Sequence, residues 1–130
     1  MAEVEIGANV KAHYNSGTYI GTVKEDRGNR YLIEVHAVLK HPLQGDIHHP
    51  GEVEGVFFHE RKALAPHEKM NVKKLAVHPY NDIIPEYNES LRDAVNVYKE
   101  KLCSKDNDFN NKAYRTLTEL ENKYYKDKYY

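Results

Sequence analysis

Near the start of the chain, apolar and polar residues alternate with a period of two. Val10, Ala12 and Tyr14 interleave with Asn9, Lys11 and His13, the spacing of a half-buried strand. Asn15-Ser16-Gly17 follows, and these residue types tolerate the left-handed backbone of a tight hairpin. A second strand over 18–24 carries Gly21 in its middle, which points to a bulge or a close backbone approach. After a turn at 26–29, Tyr31, Ile33, Val35 and Ala37 define one face of a third strand, with Arg30, Leu32, Glu34, His36 and Val38 on the other.

A three-stranded meander leaves two edges with unpaired backbone groups, so later segments must cover them. Residues 53–59 and 62–65 are the expected fourth and fifth strands. Five short, bent strands give a small SH3-like antiparallel β-barrel over residues 1–66, with a long 40–54 loop before its fourth strand. Residues 67–85 read as a proline-containing connector packed on that barrel, because Leu75, Val77, Tyr80, Ile83 and Ile84 are too apolar for a free linker.

From residue 86 the period changes. Tyr87, Leu91, Ala94, Val95, Tyr98 and Leu102 recur every three or four residues and place a helix up to about Cys103. Pro85 and Glu86 suit its start. Asp106, Asn107 or Asp108 can cap a second helix that buries Phe109, Ala113, Leu117, Leu120 and Tyr124. The fold class is therefore α+β, a barrel followed by an antiparallel helix pair over 86–130.

Composition narrows the partners. A length of 130 residues fits one domain or a small domain with an appendage, and 19 basic residues offset by 20 acidic ones give a net charge of −1. No global field draws such a chain to nucleic acid or to an anionic membrane. A local cluster of Arg61, Lys62, Lys69, Lys73 and Lys74, together with many tyrosines, keeps RNA binding as an alternative. The lone Cys103 cannot form an internal disulfide and fits a reducing compartment. The acidic first residues lack the basic start and apolar run of a secretory signal, and no stretch approaches the ~20 apolar residues of a membrane span. A cytoplasmic protein is expected.

Candidate chemistry gathers in one region. The run His-Pro-Leu-Gln-Gly-Asp-Ile-His-His-Pro at 41–50, with Phe-Phe-His-Glu-Arg-Lys-Ala-Leu at 57–64, holds four of the eight histidines. Prolines bias the preceding residues toward extended backbone, and Gly45-Asp46 permits a reversal. His48, His49 and His59, completed by His41, Asp46 or Glu60, have the donor chemistry of a zinc site. Against that, adjacent histidines on an extended segment point to opposite sides. No nucleophile elbow or phosphate-cradling glycine loop is present, so no catalytic residues, cofactor or enzyme activity are expected. Tyr14, Tyr19, Tyr31, Phe57 and Phe58 are the residues of a protein-interaction surface, apart from those that must fill the core.

These two runs, with Gly-Ala-Asn-Val-Lys at 7–11, Gly-Thr-Tyr-Ile-Gly at 17–21 and the Pro-Tyr pair at 79–80, resemble the kinase-associated protein B family of endospore-forming bacteria over nearly the whole chain. The resemblance implies a non-enzymatic accessory protein that activates a membrane-bound sensor histidine kinase feeding the sporulation phosphorelay. It carries no functional residues across. From the residues themselves, the expected partner-binding set is His41, Asp46, His48, His49, Phe58 and Arg61.

Overall fold

The computed structural model describes residues 4–45 and 60–126. The five strands are β1 (Asn9–Tyr14), β2 (Gly17–Asp26), β3 (Arg30–Lys40), β4 (Lys69–Lys73) and β5 (Val77–Pro79). They form one antiparallel sheet in the order β4-β3-β2-β1-β5. Two helices follow, α1 (Tyr87–Cys103) and α2 (Asp108–Leu120), and a π-helical turn, Glu121–Tyr125, continues α2.

The first three strands form as the alternation predicts. Asn15 and Ser16 both take positive φ (47° and 66°), and Tyr14 pairs with Gly17. This is the two-residue connection whose twist matches the flanking strands. Gly21 sits where the β2–β3 register shifts. A Cβ there would collide with the Glu34 carbonyl oxygen and come within 2.6 Å of Ile33 Cγ2. The glycine is thus a close-approach residue at a bulge.

The last two described strands lie where no strand was expected. Segment 53–59 lies outside the described residues, and 62–65 is not a strand. The sheet instead takes both edge strands from the stretch read as a connector. Met70 and Val72 are buried while Lys69, Asn71 and Lys73 are exposed, so β4 lays an alternating face on β3 and puts lysines on the edge, where they discourage further pairing. Three residues of β5 pair with β1, and a single 3-10 turn, Lys74–Ala76, joins β4 to β5. Because β4 and β5 end the order without pairing to each other, the sheet formed by the described residues is open, and among them no closed SH3-like barrel is formed.

Helix α1 lies against β3, and its Ser90 Oγ accepts the Val38 amide at 3.0 Å. Leu91 and Val95 are fully buried on that face, each worth roughly 1.5–3 kcal/mol relative to exposure. Asn107 caps α2, its Oδ1 accepting the Asn110 amide at 2.8 Å. Ala113, Leu117 and Leu120 are buried as expected, but Tyr124 is exposed and Tyr125 is buried. The π turn explains the difference, since its wider spacing brings the residue five after Leu120 onto the buried face in place of the fourth. One apolar cluster contains residues from all five strands, both helices, Ala63 and Tyr125.

Candidate functional site

The chain leaves β3 through His41–Gly45 and re-enters the described residues at 60–64. Both stems rest on side chains of the sheet and the helix pair. Gln44, 2% exposed, accepts the Arg61 amide on Oε1 at 2.9 Å. It also donates from Nε2 to the Arg61 carbonyl at 2.8 Å and to the Pro42 carbonyl at 3.1 Å. Its amide thereby does for Arg61 what a neighbouring strand would do, satisfying both backbone groups. The Gln44 amide itself donates to Tyr98 Oη at 2.8 Å.

The returning stem is held by tyrosines. Ala63 N donates to Tyr125 Oη at 2.9 Å and Leu64 N to Tyr19 Oη at 3.3 Å, while Tyr87 Oη donates to the Leu64 carbonyl. This accounts for 62–65 not being a strand: the Ala63 and Leu64 amides and the Leu64 carbonyl bond to side chains and are not available to a strand partner. Burial raises the Tyr19 hydroxyl pKa to about 12 and pushes Tyr87, Tyr98 and Tyr125 upward as well. All four remain neutral donors and acceptors at any physiological pH.

His41 completes the collar. Its Nδ1 lies 2.8 Å from the Pro42 carbonyl and its Nε2 2.8 Å from Tyr125 Oη. The carbonyl can only accept, so Nδ1 carries the proton and Nε2 accepts from the tyrosine. The ring stacks on Tyr98 at 5.9 Å between centroids and meets Tyr125 edge-on at 5.6 Å. Burial lowers its pKa to about 4, and the ring is neutral. With the proton of Tyr125 directed at His41, its oxygen lone pair receives the Ala63 amide, and one continuous relay of donors joins α2's extension to both stems.

Of the expected partner-binding residues, Asp46, His48, His49 and Phe58 lie outside the described residues, as does His59 of the candidate zinc set. His41 is 3% exposed and both its nitrogens are engaged. It is a strut of the collar and does not present itself to a partner or a metal ion. Arg61 is half-buried, and its Nη1 donates to the Leu43 carbonyl at 3.0 Å and to the Gly45 carbonyl, clamping the outgoing stem. Tyr19 and Tyr31, candidates for an interaction surface, are core residues at 1% and 3% exposure. Three of the five residues of the expected basic patch are engaged by other groups of the chain, while Lys69 and Lys73 are exposed on β4. Arg61 turns inward, Lys62 lies over the Tyr124 ring at 4.3 Å, and Lys74 pairs with Asp26 at 2.9 Å.

Beside the collar, Tyr14, Asn15, Tyr19, Pro42, Arg61, Lys62 and Leu64 line a cleft of about 220 Å³. Gln44, Tyr98 and Tyr125 were not singled out by the sequence. Tyr98 was legible only as one more residue on the buried face of α1, and nothing in the local pattern distinguishes Gln44 from a solvated loop residue.

Residues 14–125 match the family model described as Kinase associated protein B. The chain belongs to the kinase-associated protein B family. It is 42% identical over 125 residues to the kinase-associated lipoprotein B of Bacillus subtilis strain 168, covering 96% of this chain and 98% of that protein. The crystal structure of kinase-associated protein B from Bacillus cereus superposes with a TM-score of 0.80 at 34% identity, over 94% of this chain and 98% of that one. The five-stranded sheet with two C-terminal helices is thus the architecture of the family. No described helix is long and apolar enough to cross a membrane. The single Cys103 is exposed at the end of α1.

Proposed function

We propose that this chain is a non-enzymatic accessory protein of the cytoplasm that activates a membrane-bound sensor histidine kinase feeding the sporulation phosphorelay, by direct contact. Family membership supports the association with a kinase. The observation that carries the site is the reciprocal pairing of Gln44 with the Arg61 backbone. With the Arg61 side chain it ties together two stems sixteen to eighteen positions apart in sequence, through exposed and part-buried hydrogen bonds. Such a collar is an expensive support for an irrelevant connection, since every buried polar group in it must be matched.

The contact surface in this reading comprises Asp46, His48, His49 and Phe58, with the cleft beside Tyr14, Pro42 and Lys62. The cleft has an aromatic wall with a cation at its rim, a setting for an aromatic or acidic side chain of the kinase. His41 and Arg61 support the stem at 41–45.

The test is a titration of the full chain against the cytoplasmic part of the kinase, with autophosphorylation as a second readout. Alanine at Asp46, His48, His49 or Phe58 should weaken binding and activation together while thermal stability stays near that of the parent, and Tyr14→Ala, which also loses packing against the core, should lower binding and stability together. Arg61→Ala should lower both stability and binding, because it releases the Leu43 and Gly45 carbonyls. If the surface variants activate the kinase as well as the parent does, the contact lies on another face.

A further inference from the structure

Away from the collar, three metal-ligating side chains converge on the outer side of β3. Glu34, His36 and His67 each place one ligand atom within 4.8 Å of the other two. Glu34 and His36 are two apart on one strand and therefore share a face. His67 comes from the turn before β4 and is locked across β3 by main-chain bonds. Its amide donates to the Val35 carbonyl at 2.8 Å, and the Val35 amide donates to the Glu68 carbonyl at 2.9 Å. The turn holds His67 at φ +69°, a conformation that is uncommon for a residue with a side chain.

We propose that Glu34, His36 and His67 form a binding site for a divalent transition-metal ion of the zinc class. Two imidazoles and one carboxylate are borderline donors that suit zinc and its neighbours and not magnesium or calcium. Bonds of ~2.0–2.2 Å in a tetrahedron set the donors roughly 3.3–3.6 Å apart. From the 4.8 Å outer limit the site must therefore contract by about 1.2–1.5 Å. His67, whose side chain is 77% exposed, has the freedom to supply that movement.

The surroundings prepare the ligands. Thr22 Oγ1 donates to Asn9 Oδ1 at 3.2 Å and lies 2.7 Å from His36 Nε2. With its hydrogen committed to Asn9, the hydroxyl accepts from Nε2–H, which leaves the lone pair of His36 on Nδ1. A histidine oriented through its other nitrogen is the usual arrangement behind a metal ligand. Glu34 already has a nitrogen beside each oxygen, Lys24 Nζ at 3.5 Å from Oε1 and His67 Nδ1 at 3.9 Å from Oε2. An ion bound at Oε2 leaves the Lys24 contact in place. With three protein donors, the fourth position faces solvent and is open to water or to a donor from another molecule. None of these residues belongs to the collar, so this inference stands apart from the proposed kinase contact.

The test is calorimetric titration of zinc chloride into the full, untagged chain, with the imidazole signals of His36 and His67 followed by NMR. One ion per chain should bind, moving those two rings. His67→Asn, which keeps a residue tolerant of positive φ, should abolish that binding without loss of fold, and Thr22→Val should weaken it by roughly 10-fold. Failure of the parent chain to bind zinc would overturn the proposal. So would undiminished binding by His67→Asn, which would place the ion on the histidines of the 46–59 segment instead.

Discussion

His41 illustrates how the environment, and not the residue type, sets chemistry here. An imidazole met in sequence next to a proline suggests a surface ligand or a switch, yet this one is an uncharged hydrogen-bonding block between Pro42 and Tyr125. Its pKa falls from 6.5 to about 4 on burial, so the unfolded chain binds a proton in a range where the native chain does not. Stability contributed by the neutral ring is complete above about pH 6.5 and is lost progressively as pH falls toward about 4. The total is roughly 3 kcal/mol at most. Urea unfolding of the parent and of His41→Gln across that range should show a steeper acid loss in the parent. Parallel curves would mean that the ring is not held neutral. Tyr125→Phe removes the hydroxyl between the Ala63 amide and His41 Nε2 and takes that partner from both. It should cost ~1–3 kcal/mol in unfolding free energy, measured by the same denaturation, and a loss well below that would show the relay to be dispensable. Neither role was legible in the sequence, because both depend on partners 62 and 84 positions away.

Among the elements, those with strong local periodicity were readable and those whose phase or pairing depends on neighbours were not. β1 to β3 and α1 follow their hydrophobic patterns, and the cap of α2 fell within the three residues expected. Asn107→Ala should lower the melting temperature by an amount equivalent to about 1 kcal/mol, with Asp106→Ala changing it far less. Equal effects would show that the cap bond is not what starts the helix. The π turn escaped the reading, since a single added residue per turn moves the buried position from Tyr124 to Tyr125 without altering composition. The described edge strands, β4 and β5, were not read as strands for another reason. Lys69-Met70-Asn71-Val72-Lys73 has the right alternation, but only two apolar residues, and the more apolar 53–59 segment competed for the same role. Which segment pairs with β3 is settled by where the chain can return, and the alternation of a five-residue stretch does not contain that.

At the scale of the molecule, sheet and helix pair share one apolar cluster, and the collar is built from both. Tyr19 comes from β2, Tyr87 and Tyr98 from α1, and Tyr125 from the π-helical continuation of α2. Truncation after residue 85 would strip β3 of α1 and remove three of the four tyrosine hydroxyls that hold the stems. Residues 1–85 alone should therefore fail to give a cooperative unfolding transition, whereas the full chain should unfold with coincident far-UV and near-UV changes. A well-folded 1–85 fragment would show that the sheet is an independent unit. The even charge balance and the short, regular elements were fixed by composition and local pattern, as was membership of the α+β class. The amino-acid sequence also carried the family, because long unusual runs persist whatever their contacts. The tertiary structure alone decided that the sheet of the described residues stays open, that His41 is buried and that Arg61 bonds the Leu43 and Gly45 carbonyls. It also decided that Glu34, His36 and His67 meet. Periodicity reports which side of an element is apolar, while the distance between residues far apart in the chain is set only once the elements pack.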